Sequence, residues 1–220
     1  MGTITTTEFY SRIADLVQDP NNVRWPVAEL LRWLNDGQRT IVIHVPSAYV
    51  QNSDVSLVEG SKQTLPNDGL LLLDIPKNTI GDKRAIRLIK RELLDAELPE
   101  WHNEDTTSEV LHYMYDHRNP KEFYIYPPND GDGEVQIIYS AVPPTLTGTD
   151  AIGIDDIYIG ALLDYILYRI YLKDSDYSLN TGRAEGAYQV FLHGIGVSDV
   201  KGKSENPNII TRQKIAQGAV

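Results

Sequence analysis

Five histidines, His44, His102, His112, His117 and His193, are the residues of this 220-residue chain best suited to move protons or bind a metal. None of them pair within one element at the spacing that lets two imidazoles share an ion. His112 and His117, with Asp116 between them, come closest to a cluster, and a solvated pair at a strand surface accounts for them. The run Asn129-Asp130-Gly131-Asp132-Gly133-Glu134 has the outline of a calcium loop. Counted from Asp130, its twelfth position is Ala141, where an EF-hand needs a bidentate Glu, so that assignment fails. Asp-Gly between two strand-like runs is read instead as a hairpin turn. Asp155-Asp156 has the composition of an acid/base pair, but carboxylates at a helix start are explained by the helix dipole alone. There is no HExxH, GxSxG, Walker loop or GxGxxG. The expectation is a chain with no catalytic centre, no cofactor and no metal.

The bulk composition narrows the class further. The length suits one large or two small domains with a real core. There is no cysteine, so neither disulfides nor thiolate metal sites contribute. The net charge of −11 makes the chain a poor candidate for nonspecific binding to phosphate backbones. The charge is uneven: residues 201–220 hold Lys201, Lys203, Arg212 and Lys214 against Glu205 alone. An acidic body with a basic tail points to docking of that tail on a partner. No secretory signal is evident at the N-terminus, and the greasiest segment, 157–172, is too short to span a bilayer and contains Asp164 and Arg169.

That greasy segment is the clearest element. From Ile157 to Leu172 only Gly160, Asp164 and Arg169 are neither apolar nor aromatic, so the helix must be covered on every side, by its own fold or by neighbouring copies. A polar break at 174–181 separates it from a second helix with the stripe Ala184, Ala187, Tyr188, Phe191 and Leu192, capped by Asn180 or Thr181 and ended by Gly194 or Gly196. At the other end of the chain, Thr5 and Glu8 stand in capping-box spacing before a helix over 6–18. Pro26 opens another helix, which carries Val27, Leu30, Leu31, Leu34, Ile41, Val42 and Val45 and stops at Pro46. Trp25 and Trp33 beside it are read as core.

Between these pairs the texture changes to short runs punctuated by Gly, Pro, Asn and Asp: 55–59, 63–65, 70–75, 85–91, 110–115, 123–126 and 134–142 are strand candidates. The fold class expected is α+β: N- and C-terminal helices (1–50 with 151–196) forming one bundle, an inserted β-rich domain (51–150), and an extended C-terminal arm (197–220). The 13 tyrosines crowd the β-rich block and the last helix pair, a composition that suits protein–protein surfaces.

Several runs carry a family resemblance: RWPVAELLRWLNDGQRTIV, SKQTLPNDGLLLLDI, IRLIKRELLD followed by Pro99-Glu100-Trp101-His102, KEFYIYPP, VQIIYSAVPP, DDIYIGALLDYILYRIYLKDSDY and RAEGAYQVFLHGIG. Together, over about residues 5–196, the chain resembles the head-to-tail adaptors of short-tailed bacteriophages, also called tail tubular protein A. The resemblance implies a structural virion protein at the head–tail interface, made in the host cytoplasm, and assembled as a dodecameric ring below the portal. It implies an arm that reaches the portal and a β domain that meets the tail nozzle, with packaged DNA passing through unbound. On this reading Ile209, Ile210, Arg212 and Lys214 make the arm contacts, and Asp164 and Arg169 lie between subunits. The rival readings are a tail-completion or neck protein that meets only the tail, and a phage-encoded enzyme or binding module using carboxylates such as Asp116 or Asp130.

Overall fold

The computed structural model describes residues 2–174 and 178–204, with side chains described as far as Gly196 apart from Ser178. The fold is α+β. In chain order it has α1 (Thr6–Val17), α2 (Val27–His44), β1 (Val50–Ser56), β2 (Gly60–Thr64), β3 (Gly69–Asn78), β4 (Arg87–Leu88), α3 (Arg91–Glu97), β5 (His112–Tyr115), β6 (Glu122–Asn129), β7 (Glu134–Ala141), α4 (Ile159–Lys173) and α5 (Ser178–Ser204). The chain divides into two compact units: the helical one takes Met1–Tyr49 and the residues from Pro143 onward, and the β-rich one takes Val50–Val142.

In the helical unit local chemistry sets the helix starts. Thr5 Oγ1 accepts from the Glu8 N–H at 3.2 Å, capping α1. Pro26 caps α2, where its missing N–H costs nothing. Asp155 accepts from the Ile157 N–H and caps a single 3-10 turn ahead of α4. Its neighbour Asp156 does something else: it accepts from the Thr3 N–H (2.8 Å), the Thr3 hydroxyl (2.6 Å) and the Ile4 N–H (3.3 Å), clamping the N-terminal segment against the start of α4. Those hydrogen bonds hold its carboxyl below the usual carboxylate range.

α2 packs on α4, and α4 on α5. Trp25 (6% exposed) and Trp33 (7%) are core, as read from the sequence. The α2–α4 approach depends on Gly37, which is buried: a Cβ there would lie 2.9 Å from Tyr165 Cδ1 and 3.0 Å from Leu162 Cδ2. Gly37→Val is therefore expected to cost about 1–3 kcal/mol through overpacking, despite leaving the helix a better former. A denaturant titration showing unchanged stability would contradict it. Buried amides fasten the 143–154 segment to α2. Asn35 accepts from the Leu146 N–H (2.8 Å) and donates to its carbonyl (3.3 Å), and Gln38 accepts from the Gly153 N–H (2.8 Å).

α5 departs from expectation at both ends. It begins at Ser178, so Asn180 is inside it rather than a cap; this side chain is buried and donates to the carbonyl (3.1 Å) and carboxylate (3.0 Å) of Asp174. The helix also runs through Gly194 and Gly196 to Ser204. Glycine costs a helix about 1 kcal/mol per residue relative to alanine, too little to end one whose packed face continues through Phe191 (0% exposed) to Ile195 (2%).

The β-rich unit holds two sheets. One has order β1-β7-β3, all antiparallel; the other has order β2-β6-β5-β4, antiparallel except for the short β4–β5 pair. Alternation puts Phe123 and Ile125 of β6, and Val135 and Ile137 of β7, in the core. The 85–91 run, expected as a strand, forms a two-residue strand at Arg87–Leu88 and an isolated bridge from Ala85 to Lys77, and then turns into α3. The hairpin expected at 129–133 is not one, because β6 and β7 belong to different sheets. The turn carries the chain from one sheet to the other. Buried Asn129 shapes it, its Oδ1 accepting from the Gly131 (2.8 Å) and Gly133 (3.2 Å) N–H groups.

Candidate assembly interface

Several of the residues best suited to chemistry are occupied structurally, whereas His193 is exposed on α5. Arg118 grips Asp116 through Nε (3.0 Å) and Nη2 (2.6 Å), and this holds the carboxyl down at about 2. Asp130 accepts from the Asp132 N–H within its own turn. His117 Nδ1 lies 3.8 Å from Asp116, while the His112 ring stacks on Tyr126 at 6.4 Å, so the two histidines do not form one site. Among the described residues no group of three His, Asp or Glu side chains is placed to hold a metal, and no helix is long and apolar enough to cross a membrane. One nucleophile–base contact was not legible in the sequence: Ser61 Oγ lies 2.7 Å from His102 Nδ1. Ser61 is buried, and the exposed His102 ring is stacked on Trp101 at 3.6 Å, so the pair ties β2 to the turn after α3.

In the helical unit, α4 and α5 each leave an apolar face partly open. α4 buries Ile159, Ala161, Leu162, Tyr165, Ile166 and Ile170. Its opposite face is only half-covered: Leu163, Leu167 and Tyr171 fall at i, i+4 and i+8, flanked by exposed Gly160 and Leu172. α5 seats Phe191 between Tyr165 (centroids 5.4 Å apart), Tyr188 (5.8 Å) and His44 (6.4 Å), and Tyr188 lies against Tyr168 at 4.9 Å. It turns outward Leu179 (60% exposed), Val190 (55%), and Gly182 and Gly186, where an added Cβ would meet nothing within 4 Å.

Asp164 and Arg169 are both half-buried on α4, but five residues apart they are not brought together. Arg169 lies over the Trp33 ring at 5.9 Å, part of a cationic cluster in which Lys173 covers Trp25 and Trp33 and pairs with Glu29 at 2.7 Å. Close by, Arg24 pairs with Asp174 at 2.6 Å. Asp164 has no hydrogen-bond or ion-pair partner among the described residues, and burial pushes its carboxyl up. A raised carboxyl favours the protonated folded state, so its ionisation weakens the fold as pH rises through the carboxylate range. Asp164→Asn is expected to raise the melting temperature of the isolated protein at neutral pH, with the gap closing in acid. A variant less stable than the parent at pH 7 would contradict this.

The model of the SU10 adaptor protein family matches residues 4–211. The chain belongs to that family. SU10 adaptors are structural phage proteins and virion components, in agreement with the head-to-tail adaptor resemblance carried by the sequence runs. No curated protein matches the chain. The SU10 adaptor match extends past Gly196 through Ile209 and Ile210 and stops before Arg212 and Lys214. All four of these arm residues lie outside the described residues.

Proposed function

We propose that this SU10 adaptor is a head-to-tail adaptor that assembles as a ring, of twelve copies, beneath the portal, extends the DNA channel and presents the tail attachment site. The observation that carries the reading is the second apolar face of α4. A helix greasy nearly all round has one face covered within its own chain, and the Leu163–Leu167–Tyr171 stripe stays available to a neighbouring copy. The mechanism is assembly: the terminal helices form one bundle with the β-rich unit as its inserted domain, and α4 and α5 line up side by side around the ring. Asp164 and Arg169 border the contact between copies, where a neighbour's cation supplies the partner that Asp164 lacks. DNA passes without specific binding, because the acidic body repels its phosphates. No cofactor or catalytic step is involved.

The arm after Ser204 is assigned to the portal, with Ile209, Ile210, Arg212 and Lys214 making the contacts, and the β-rich unit to the tail nozzle. A chain cut after Ser204 is expected to melt like the parent yet to lose capture by immobilised portal, while keeping capture by nozzle subunits. Undiminished portal capture would overturn the arm assignment. A full-length chain captured by the nozzle and never by the portal would make it a neck protein that meets only the tail.

A further inference from the structure

The β-rich unit carries its charge in two adjoining blocks. Lys83, Arg84, Arg87, Lys90 and Arg91 fall within nine residues, and no Lys or Arg follows until Arg118. In that gap stand Glu92, Asp95, Glu97, Glu100, Glu104, Asp105, Glu109 and Asp116. Folding brings little of this together. Arg91 pairs with Asp95 at 3.2 Å. The side chains of Lys83, Arg84, Arg87 and Lys90 are exposed and have no hydrogen-bond or ion-pair partner among the described residues, and the same holds for Glu97, Glu100 and Asp105. Apolar side chains are exposed along the same stretch: Leu88 at 63%, Leu93 at 54% and Leu98 at 39%. A groove of about 720 Å³ opens beside them, lined by Leu88, Lys90, Arg91, Asp116, Arg118 and Tyr124 among others.

From this pattern we infer that the basic strip Lys83–Lys90 of one copy docks on the acidic segment Glu97–Asp105 of the next. Two patches of opposite sign at different places on one chain make a heterologous contact, which closes into a ring when the rotation fits. A second copy suits the strip better than nucleic acid does. The complementary charge is present on the same unit, the exposed leucines gain nothing from phosphates, and the chain as a whole is strongly acidic. The contact rests on the ring reading for its place in the particle. It differs in being electrostatic, in the β-rich unit, and weakened by salt.

The absence of native cysteine allows a direct test, because any introduced thiol is the sole one in its chain. Arg87→Cys and Glu100→Cys chains are mixed, with and without portal, and oxidised mildly. The expected product is the mixed Arg87→Cys/Glu100→Cys dimer, about tenfold over either same-residue dimer at low salt and reduced toward parity in 1 M salt. Same-residue dimers in equal yield would overturn the inference. So would a ring on portal particles with no mixed product, which leaves the ring reading standing. Mixed product without any ring supports this contact and removes the ring reading. Two charge-reversed chains complete the test: one with Lys83, Arg84, Arg87 and Lys90 changed to Glu, the other with Glu97, Glu100 and Asp105 changed to Lys. Each alone is expected to reduce association about tenfold or more, and both sets on one chain to restore it. Association untouched in the basic-strip variant, with retention of a DNA oligonucleotide lost, would assign the strip to nucleic acid instead.

Discussion

Phe191→Ala is expected to cost the helical unit about 3–5 kcal/mol, the range for emptying a fully buried aromatic site. The ring is 0% exposed and stands where α2, α4 and α5 converge, with Tyr165, Tyr188 and His44 around it. Tyr165 is itself buried, so the cavity cannot close cheaply on that side. Phe191→Leu keeps most of the volume and is expected to lose much less. Tyr188→Ala, at a half-buried position, should fall between the two. Urea titrations of the three variants check the order, and a Phe191→Ala chain as stable as Phe191→Leu would show that α5 is not held by this residue. Loss of α5 docking also removes the outward face proposed to meet a neighbour, so Phe191→Ala should fail in assembly at temperatures where Tyr188→Ala succeeds.

In the β-rich unit the corresponding residue is Trp101. It is 0% exposed, packs with Leu94 and Met114, meets Tyr124 and Tyr126 edge-on at 6.2 and 6.4 Å, and donates from Nε1 to Asp95 at 2.9 Å. Trp101→Ala is expected to cost about 3–5 kcal/mol and to release α3, taking with it the segment that carries both charge blocks. Trp101→Phe keeps the packing but removes the indole donor, and its loss should depend on pH. The Trp101 hydrogen bond, followed by Arg91, holds the Asp95 carboxyl below its usual range. A depressed carboxyl contributes stability at pH above the ordinary carboxylate range and loses it as pH falls through the folded-state value. The gap between wild type and Trp101→Phe should therefore narrow in acid. A gap that widens in acid would contradict the assignment.

Which features could be read from the sequence follows from how local their causes are. The Thr5 cap and the start of α2 at Pro26 depend on a few neighbouring residues and are legible in them, whereas α5 starts at Ser178, inside the polar break expected at 174–181. Trp25 and Trp33 were legible as core because they flank an apolar stripe. The 129–133 turn differs from the expected hairpin for the opposite reason: Asp-Gly specifies a turn, but which strand β7 joins is decided by distant faces in two sheets. Nothing local marks Asn35, Gln38 or Asn129 as buried, since an amide that anchors a backbone segment has the same spelling as one in solvent. At the interface, the excess of apolar surface on α4 was plain in the sequence. The partition of that surface, with Leu162 and Ile166 inward and Leu163 and Leu167 half-open, needed the position of α5.

On the proposed function, copies of this chain close into a ring on the portal. Electron micrographs of the protein alone and mixed with portal particles test it most directly. An added ring-shaped layer on the portal, centred on the channel axis, is expected, and it should disappear for chains cut after Ser204. Portal particles that bind the chain without any closed layer, or bind none, would contradict it.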